Sequence, residues 1–523
     1  MVERVQLILL PEQAADEQAL RKAAAGMLGI APSRIHGHRI VRRTVDARQR
    51  QPRINLSLDL YIDQGAEALP SEEGLFSYRD VSGKPGVVVV GAGPAGLFAA
   101  LRLIELGYKP IVIERGKAIT ERKKDIAALH RNQGLNPESN YCFGEGGAGT
   151  FSDGKLYTRS HKKGNISRIL HLFHLHGAQD EILYEAHPHI GTDRLSVVIR
   201  NMRETILKMG GEVHFSCRMT DLIVKSGSVK GIRTSDGKEW RTDAVILATG
   251  HSARDVYHLL SCSGYVLESK GFAMGVRVEH PQALIDSIQY HRKERGRYLP
   301  PASYSLVAQA GGRGVYSFCM CPGGQIVPAS TSDGELVVNG MSNALRNSPY
   351  ANSGIVVEIR PEDLPESMRK EHGVLAGLAY QQSVEHLSYN NNGGHGLAAP
   401  AQRLGDFVRS RLSPTLPSCS YLPGILSSPL HFWLPEAIGH RLQEGFRQFD
   451  RKMHGFVTNE AVIVGVESRS SSPIRIPRDR ETLQHPMLEG LYPCGEGAGY
   501  SGGITSSAID GERCAEAVAR QLS

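Results

Sequence analysis

The sequence has few of the features that mark membrane-spanning, secreted or nucleic-acid-binding chains. Its 8 cysteines are scattered along 523 residues, which is typical of a reducing cytoplasm and not of a disulfide framework. The uncharged stretch at residues 86–101 is broken by glycine and proline and is too short to cross a bilayer, and residues 1–11 have too short an apolar run for a signal peptide. The formal net charge of +6 is mild and does not by itself indicate a nucleic-acid partner. We therefore expect a cytoplasmic protein without a membrane segment.

The chain is organised around residues 86–116, where four valines, Val87 to Val90, are typical of a strand buried on both faces. A G-x-G-x-x-G turn follows, then a helical pattern and a second apolar strand that ends at Glu114, 18 residues past Gly96. These glycines permit a tight turn, close approach of a pyrophosphate and helix–strand packing, and an acidic residue at this spacing accepts ribose hydroxyls. The order of elements predicts a dinucleotide site and not merely a glycine-rich turn. The predicted contacts are Gly91, Ala92, Gly93, Pro94, Ala95, Gly96, Glu114 and Arg115.

A second glycine-rich loop lies at residues 141–156 and has five glycines within residues 144–154. Such a loop exposes backbone N–H groups that can face a ring system or a phosphate. The alternative is a mobile surface loop, but the short distance from the first motif favours cofactor contact. The predicted contacts in this loop are Gly146, Gly147, Thr150, Ser152, Asp153 and Lys155.

Two later segments predict that the chain returns to the same site. Residues 243–250 are typical of a buried strand that ends in a small-residue turn, and residues 491–504 lead from a strand through a glycine loop into a helix. N–H groups at the start of that helix would face the pyrimidine edge of a flavin, and Glu496 would accept bonds from ribityl hydroxyls. A C-terminal segment that completes a site opened at residue 91 fits a long, permanently held cofactor such as FAD. The predicted contacts are Ala248, Thr249, Gly250, Gly495, Glu496, Gly503 and Ile504.

The length predicts two or three domains. Residues 1–63 predict a small β-α-β-β module of split βαβ type, and strand-like pieces separated by polar loops follow from residue 271. The sequence has no second strand–G-x-G-x-x-G–helix, so a dedicated NAD(P) domain is not evident. We predict four parts: an N-terminal module with linker (1–80), the first part of a dinucleotide-binding domain (84–270), an inserted domain (271–460) and a C-terminal return (461–523).

The N-terminal module has seven arginines and one acid, Asp46, between residues 34 and 53. One interpretation is a face that binds nucleic acid or phosphate. The other is a solvated sheet edge whose charges prevent pairing with another strand. We favour the second interpretation because no aromatic residues lie among the arginines.

These motifs resemble a family of largely uncharacterised FAD-dependent dehydrogenases, within the wide flavoprotein class that includes glutathione-reductase-like and hydroxybenzoate-hydroxylase-like folds. The resemblance covers nearly the whole chain and implies an α/β fold: a doubly wound, Rossmann-like FAD-binding domain, interrupted by a mostly antiparallel α+β substrate domain and closed by the C-terminal helix. It implies no particular substrate. The matching pieces are VVVVGAGPAGLFAAL (87–101), CFGEGGAGTFSDGKLYTR (142–159), AVILATGHSARD (244–255), GVRVEHPQALID (275–286), RGVYSFCMCPGG (313–324), GVESRSSSPIRI (465–476) and LYPCGEGAGYSGGITSSAIDG (491–511).

The pair Cys319 and Cys321 forms a C-x-C motif with three possible meanings. Two small buried residues at a strand end are the simplest, and a flavin-coupled redox thiol is the second, because a disulfide between such close residues would be strained and easily reduced. A metal site would need about four ligands, and no second cysteine pair lies nearby, so we predict no metal.

Four further residues are candidates for chemistry. Arg277, His280 and Arg313 would suit an anionic substrate, since arginine makes bidentate contacts, although ordinary ion pairing explains any one arginine as well. His251 follows the Ala-Thr-Gly turn and is a candidate general acid or base near a flavin, or a hydrogen-bonded structural histidine.

Taken together, the residues predict an FAD-dependent oxidoreductase that transfers hydride through flavin N5 to or from a small, perhaps anionic substrate, with NAD(P)H as an open possibility for the reductant. The alternative is a flavoprotein that modifies or binds nucleic acid of the tRNA type through the basic N-terminal module. A third interpretation is a flavin-holding scaffold whose N-terminal module recruits a protein partner.

Overall fold

The computed structural model describes residues 1–63, 75–158 and 164–523. Its N-terminal part is the predicted β-α-β-β module, in which the third strand lies between the first two and runs antiparallel to both. Of the linker that we predict at residues 64–85, residues 64–74 lie outside the described residues. The elements of this module are β1 (Val2–Leu9), α1 (Pro11–Ala14), α2 (Glu17–Leu28), β2 (Ile35–Asp46) and β3 (Arg53–Ile62).

A parallel sheet of five strands holds the first glycine motif. In sheet order its strands are β22 (Leu491–Pro493), β10 (Val245–Leu247), β4 (Gly86–Val90), β5 (Lys109–Ile113) and β6 (Glu212–His214). Val87 and Val89 pack against a layer of helices, whereas Val88 and Val90 pack against a β-meander and a helix on the opposite face. Strand β4 is therefore buried on both faces, as the four valines predict.

The helical layer and the meander sandwich the parallel sheet. The helices on the first face are α3 (Pro94–Glu105), α5 (Ile166–Leu175), α7 (Thr192–Lys208) and α15 (Ile504–Leu522). The opposite face is covered by β7 (Met219–Lys225), β8 (Ser228–Thr234), β9 (Glu239–Arg241) and α8 (Arg254–Cys262). This arrangement confirms the predicted Rossmann-like domain and brings residues from the start and the end of the chain into one layer.

A seven-stranded, mostly antiparallel sheet, called the large sheet below, forms the inserted part. In sheet order it contains β13 (Val307–Ala310), β14 (Arg313–Cys321), β17 (Tyr350–Ile359), β12 (Phe272–Pro281), β20 (Val462–Glu467), β18 (Ala399–Arg403) and β19 (Ile425–Ser427). Strand β20 pairs with both β12 and β18, so the large sheet extends past the predicted boundary at residue 460. The chain returns to the parallel sheet only at β22.

Two short ribbons and the remaining helices complete the fold. One ribbon, β11 (Glu268–Ser269) with β21 (Ile474–Arg475), joins the segment that enters the large sheet to the segment that leaves it. The other ribbon pairs β15 (Gln325–Pro328) with β16 (Val338–Met341). The remaining helices are α4 (Ile119–His130), α6 (Glu181–Tyr184), α9 (Gln282–Tyr290), α10 (Glu366–His372), α11 (Ala376–Asn390), α12 (Leu404–Val408), α13 (Leu430–Trp433) and α14 (Glu436–Lys452).

None of the helices in the described part of the chain combines the length and apolar character needed to cross a lipid bilayer.

Candidate cofactor and active site

A cavity of about 380 Å³ opens at the carboxyl ends of β4, β5 and β10, between the parallel sheet and the large sheet. In open α/β sheets this edge is where ligands bind. Most of the predicted cofactor contacts, although they come from four separate segments, line this one cavity. These are Gly91, Gly93, Pro94, Ala95, Glu114, Arg115, Gly147, Ser152, Asp153, Lys155, Ala248, Thr249, Gly250, Glu496, Gly503 and Ile504.

The glycines of the first turn have distinct reasons to be glycine. Gly91 has φ +107°, and a Cβ on it would lie 2.4 Å from the carbonyl oxygen of Ala248. A Cβ on Gly96 would lie 1.8 Å from the carbonyl oxygen of Gly91, which blocks any side chain where α3 meets β4. Gly93 is different, because a Cβ there would make only an ordinary contact of 3.9 Å. Gly91 and Gly96 therefore serve packing, while Gly93 lines open space suited to close approach by a phosphate.

Glu114 ties the first glycine turn to the second loop. Its buried carboxylate accepts hydrogen bonds from the backbone N–H groups of Ala92 (2.8 Å), Gly116 (2.8 Å) and Gly144 (2.9 Å). Only one of the three reaches Oε2, so this oxygen keeps acceptor capacity toward the cavity. The prediction that Glu114 takes ribose hydroxyls is compatible with this geometry, and the residue also shapes the cavity.

Arg122, which the sequence pattern does not single out, shapes the second loop. Its fully buried guanidinium donates to the carbonyl oxygens of Asn140 (2.8 Å), Tyr141 (3.0 Å), Glu145 (2.7 Å) and Gly147 (2.9 Å). Burial lowers the pKa of Arg122 to about 10, so the group stays charged at neutral pH. A single cation on α4 thus fixes the course of the loop, and only an unexplained arginine in a charged helix hints at it in the sequence.

Five predicted contacts do not line the cavity: Ala92, Gly96, Gly146, Thr150 and Gly495. They hold the surrounding loops in place. The hydroxyl of Thr150 donates to the Glu145 carbonyl (2.8 Å), and the N–H of Gly146 donates to the Ala92 carbonyl (2.8 Å). The N–H of Gly495 donates to Asp510 (2.8 Å). Direct cofactor contact by these five stays a prediction.

His251 lies in the cavity lining beside Glu496, with its Nδ1 3.3 Å from Glu496 Oε1. The imidazole is largely buried, and the described residues offer no hydrogen-bond partner to its Nε2. A buried ring nitrogen without a partner costs free energy unless a ligand or water satisfies it. This unpaired atom, together with the open backbone at Gly93, fits a cofactor that carries hydroxyls and phosphates.

Asp153 joins the second loop to the large-sheet side. Its carboxylate is 1% exposed and lies 3.0 Å from Arg346 Nε and 3.2 Å from Lys155 Nζ, and it also accepts the hydroxyl of Ser342. Burial alone would raise the pKa of Asp153, but Lys155 and Arg346 lower it well below the ordinary range. Lys155 is thereby held at the cavity with its charge compensated.

The C-x-C motif lies on β14, across the cavity from the glycine turn. Cys319 lines the cavity and has φ +47° at an irregularity in the pairing of β14 with β17, whereas Cys321 is fully buried. A hydrogen bond from Cys321 and the nearby Lys155 and Arg277 lower the pKa of Cys319, and the same hydrogen bond and burial raise the pKa of Cys321. The pair thus has one accessible thiol that ionises readily and one that stays protonated.

Arg277, His280 and Arg313 do not reach the cavity, which corrects the expectation that they bind substrate there. Arg277 is fully buried and donates to Glu467 Oε2 at 2.7 Å, while Arg313 pairs with Asp363 at 2.7 Å. His280 is also fully buried, and its Nε2 donates to a backbone carbonyl at 2.8 Å. The two arginines are thus engaged by carboxylates of the inserted part, whereas Nδ1 of His280 is buried and has no hydrogen-bond partner among the described residues. Burial lowers the pKa of His280 to about 4.

Unlike Arg277 and Arg313, Arg469 lines the cavity; it lies two residues after the end of β20 in the large sheet. Its guanidinium lies 3.1 Å from Glu335 and 3.1 Å from Glu385 and donates to the Thr331 hydroxyl at 2.7 Å. Arg254 pairs with the same two carboxylates, each at 2.7 Å. Two arginines and two glutamates therefore form a closed, buried network that links α8 to the large sheet.

The arginines of the N-terminal module are largely engaged with carboxylates. Arg34 pairs with Asp63, and Arg39 lies 2.6 Å from Asp59. Arg43 and Arg48 lie 3.3 Å and 2.6 Å from Glu185 and Asp46. Strand β2 is the edge of its sheet, so this arrangement favours the interpretation as a charged, solvated edge.

Models of known families match three parts of the chain. Residues 85–284 match the pyridine nucleotide-disulphide oxidoreductase model, and residues 271–470 match the FAD-dependent protein, C-terminal domain-like model. Residues 1–61 match a domain of unknown function. The second match includes β20 and so spans the strands of the large sheet.

An uncharacterised protein from Clostridium beijerinckii (strain ATCC 51743 / NCIMB 8052) is 39% identical over 520 residues, covering 96% of each chain. The chain belongs to a family of uncharacterised FAD-dependent oxidoreductases. In this family member, the nucleotide motif and the large sheet fall within the two matched flavoprotein regions.

Solved flavoprotein structures match the chain at low identity. CtdE in complex with FAD is 13% identical with a TM-score of 0.33 and 84% coverage of both chains. The flavin-dependent brominase Bmp2 is 14% identical with a TM-score of 0.36, covering 83% of this chain and 79% of that one. L-proline dehydrogenase from P. horikoshii is 11% identical with a TM-score of 0.33, covering 84% and 94%. Scores this low support no conclusion about substrate.

Proposed function

We propose that this FAD-dependent oxidoreductase transfers hydride between flavin N5 and a small, anionic substrate in the cavity between the two sheets, with NADH or NADPH as a transient reductant. The observation that carries the proposal is the convergence of four separate segments of predicted cofactor contacts on one cavity that the large sheet closes. The flavin, when bound, supplies the two-electron chemistry. The protein supplies position, charge and exclusion of water.

The residues of the cavity divide into two groups by position. The Gly91–Gly96 turn and Glu114 would hold the adenosine and pyrophosphate end, since they lie at the ends of β4 and β5. The N-terminus of α15, at Gly503 and Ile504, favours negative charge nearby by roughly 0.3–1 kcal/mol. It would therefore hold the electron-accepting edge of the ring.

The proposal of an anionic substrate rests on four cationic side chains around the cavity, each of which also lies beside a carboxylate. Arg115, Arg218 and Lys155 line it, together with Arg469 from the large sheet. A nicotinamide cofactor would bind transiently, because the sequence has no second strand–G-x-G-x-x-G–helix to hold it. All eight cysteines are free thiols, which supports work in the reducing cytoplasm.

The test is an anaerobic visible spectrum of the purified protein before and after addition of NADH or NADPH. We expect oxidised-flavin bands that bleach with one of the two nucleotides. Flavin bands that bleach with neither would overturn the nicotinamide part of the proposal. A protein that carries no flavin and takes up none from added FAD would overturn the whole.

A matched pair of variants sharpens the same test. Glu114→Gln replaces one acceptor oxygen with an amide that repels a backbone N–H group, so we expect FAD to bind the apoprotein roughly 10-fold or more weakly. Glu121→Gln, on the exposed side of α4, is the control and should bind FAD as the unchanged protein does. Equal affinities in both variants would remove Glu114 from the cofactor site.

A further inference from the structure

The N-terminal module is joined to the cavity by a short ladder of backbone hydrogen bonds. The N–H group of Ala186 donates to the carbonyl oxygen of Arg43 on β2 at 3.0 Å, which places this segment beside the edge of the module. Two residues further on, the N–H group of Leu156 donates to the carbonyl oxygen of Pro188 at 2.9 Å. Residues 185–189 therefore connect β2 with the second glycine loop at the point where that loop lines the cavity.

An aromatic pair lies beside this ladder, at the margin of the cavity. Tyr157 lines the cavity, and 47% of its surface is nevertheless exposed to solvent. The exposed ring of His187 lies edge-on to the ring of Tyr157, with the two centroids 4.8 Å apart. An exposed aromatic ring stacks readily with the planar base of a nucleotide, because every base has a π-face. The mouth of the cavity therefore offers a surface on which a base can stack.

Arg42 lies next to this pair and has no opposite charge to balance it. Partial burial, Arg346 and Arg42, in that order, lower the pKa of His187, so the guanidinium of Arg42 is close to the histidine ring. Arg42 is exposed, and none of the residues that the structure describes makes an ion pair or a hydrogen bond with its side chain. On the same strand, Arg39 and Arg43 lie 2.6 Å and 3.3 Å from carboxylates. A solvated sheet edge accounts for these paired arginines and leaves the unpaired Arg42 unexplained.

A phosphate is the group that suits this cation. The planar guanidinium binds phosphate through two parallel N–H groups. An arginine at the adenosine end of a nicotinamide dinucleotide accommodates the 2′-phosphate that distinguishes NADPH from NADH. A dinucleotide whose adenine stacks on Tyr157 would extend its nicotinamide end into the cavity and its 2′-phosphate toward Arg42.

We propose that Tyr157, His187 and Arg42 form the docking site for the adenosine 2′-phosphate end of NADPH, and that Arg42 selects NADPH over NADH. The inference rests on the proposed function, since it assumes a nicotinamide reductant at the same cavity. It gives the N-terminal module a role in the choice of that reductant.

The first experiment measures docking without turnover. Calorimetric titration of the FAD-loaded protein compares adenosine 2′,5′-bisphosphate with 5′-AMP, two probes that differ only in the 2′-phosphate. We expect the wild type to bind the bisphosphate about 10-fold more tightly, and we expect Arg42→Ser to bind both probes alike. Equal affinities of the wild type for the two probes would overturn the proposal.

A matched control separates a specific contact from the general effect of charge. Arg50→Ser removes the same charge from the same module at an exposed position between β2 and β3, and it should keep the preference of the wild type. If Arg50→Ser loses the preference as fully as Arg42→Ser does, the preference comes from net charge and the docking site is overturned.

The second experiment follows anaerobic flavin reduction at increasing concentrations of NADPH and of NADH. We expect Arg42→Ser to raise the Kd of NADPH about 10-fold, with the limiting rate and the Kd of NADH unchanged, whereas Tyr157→Leu should weaken both nucleotides. Equal weakening of NADH and NADPH by Arg42→Ser would overturn the 2′-phosphate assignment. A flavin that neither nucleotide bleaches would instead overturn the proposed reductant, while a bisphosphate preference that Arg42→Ser abolishes would still support the docking site.

Discussion

The two halves of the cavity handle buried charge in different ways. The floor, formed by residues 91–96 and 140–155, is held by two buried charged side chains outside it, Glu114 and Arg122, that bind neutral backbone groups. The wall, formed by the large sheet, pairs buried cations with carboxylates, as in Arg277 with Glu467 at 2.7 Å. At Glu114 and Arg122 on the floor the charge is balanced by peptide dipoles. At Arg277 on the wall, and at Asp153 where the floor meets the large-sheet side, it is balanced by an opposite charge.

The kind of partner determines whether a buried charge fixes the conformation of the backbone around it. Peptide groups that converge on one ion must keep one conformation, so Glu114 and Arg122 determine the shape of loops that have too few side chains to fix themselves. An ion pair within a regular sheet leaves the strands where their own hydrogen bonds put them. Such a pair is replaceable as a unit, because removing both partners leaves no unpaired charge.

The largest effect should come from the floor. Arg122→Met leaves the buried carbonyl groups of Asn140 and Tyr141 without a donor, at about 1–3 kcal/mol each, and removes one of two hydrogen bonds, worth about 0.5–1.5 kcal/mol, from those of Glu145 and Gly147. We therefore expect a loss of about 5 kcal/mol of stability together with loss of FAD. Urea unfolding and the flavin content of the purified protein measure the two effects. Lys124→Met, an exposed change on the same helix, should leave both unchanged. A variant that keeps its flavin would show that the second loop holds its shape without this cation.

A smaller effect, and one that a second change repairs, is expected on the wall. Arg277→Met leaves the buried Glu467 unpaired and should cost about 3–5 kcal/mol. The double variant Arg277→Met with Glu467→Met should recover most of this loss and keep its FAD, as urea unfolding and flavin content will show. If the stability loss of the double variant equals the sum of the losses of the two single variants, the charges of the wall are no more replaceable than those of the floor.

The smallest effect concerns pH and arises at His280 on the wall. His280 has a pKa of about 4 in the folded protein against 6.5 when unfolded, so the unfolded chain binds the proton first as pH falls. Stability from this residue is full above pH 6.5 and is lost toward pH 4, which amounts to about 2 kcal/mol between pH 7 and pH 5. His280→Gln keeps a donor for the backbone carbonyl, and its unfolding free energy should change about 2 kcal/mol less over that interval. Parallel curves for both proteins would contradict the assignment.

Much of the lining of the candidate nucleotide cavity could be predicted because its determinants are local. The valine strand, the glycine turn and the acid at Glu114 follow one another within 31 residues, and each has a steric or hydrogen-bonding reason to be where it is. The C-terminal segment at residues 491–504 could be predicted in the same way, because its strand, glycine loop and helix N-terminus follow one another directly. Its arrival at the same cavity follows from the rule that carboxyl ends of parallel strands share one edge.

The parts that could not be predicted depend on contacts between distant segments. Every residue from Phe272 to His280 in β12 is buried, so the polar residues of this strand do not mark a solvent face. Arg277 meets Glu467, 190 residues later, and the sequence cannot show that pairing. The same crossover places β20 in the large sheet, past the boundary expected at residue 460. The role of Arg122 could not be predicted for a related reason. Its partners are backbone carbonyl groups, which every residue type has, so the sequence does not show where they lie.

The ribbon of β11 with β21 has a consequence for how such a chain can change. It brings the entrance and the exit of the insertion together, with Ser269 paired to Ile474. Residues 270–473 therefore leave the parallel-sheet part of the protein and return to it at this one ribbon. Away from the ion pairs of Arg346 with Asp153 and of Arg254 with Glu335, the insertion can therefore be lengthened or trimmed without displacing β10 or β22. The half that we propose meets the substrate is free to diversify, while the half that we propose holds the nucleotide stays as it is.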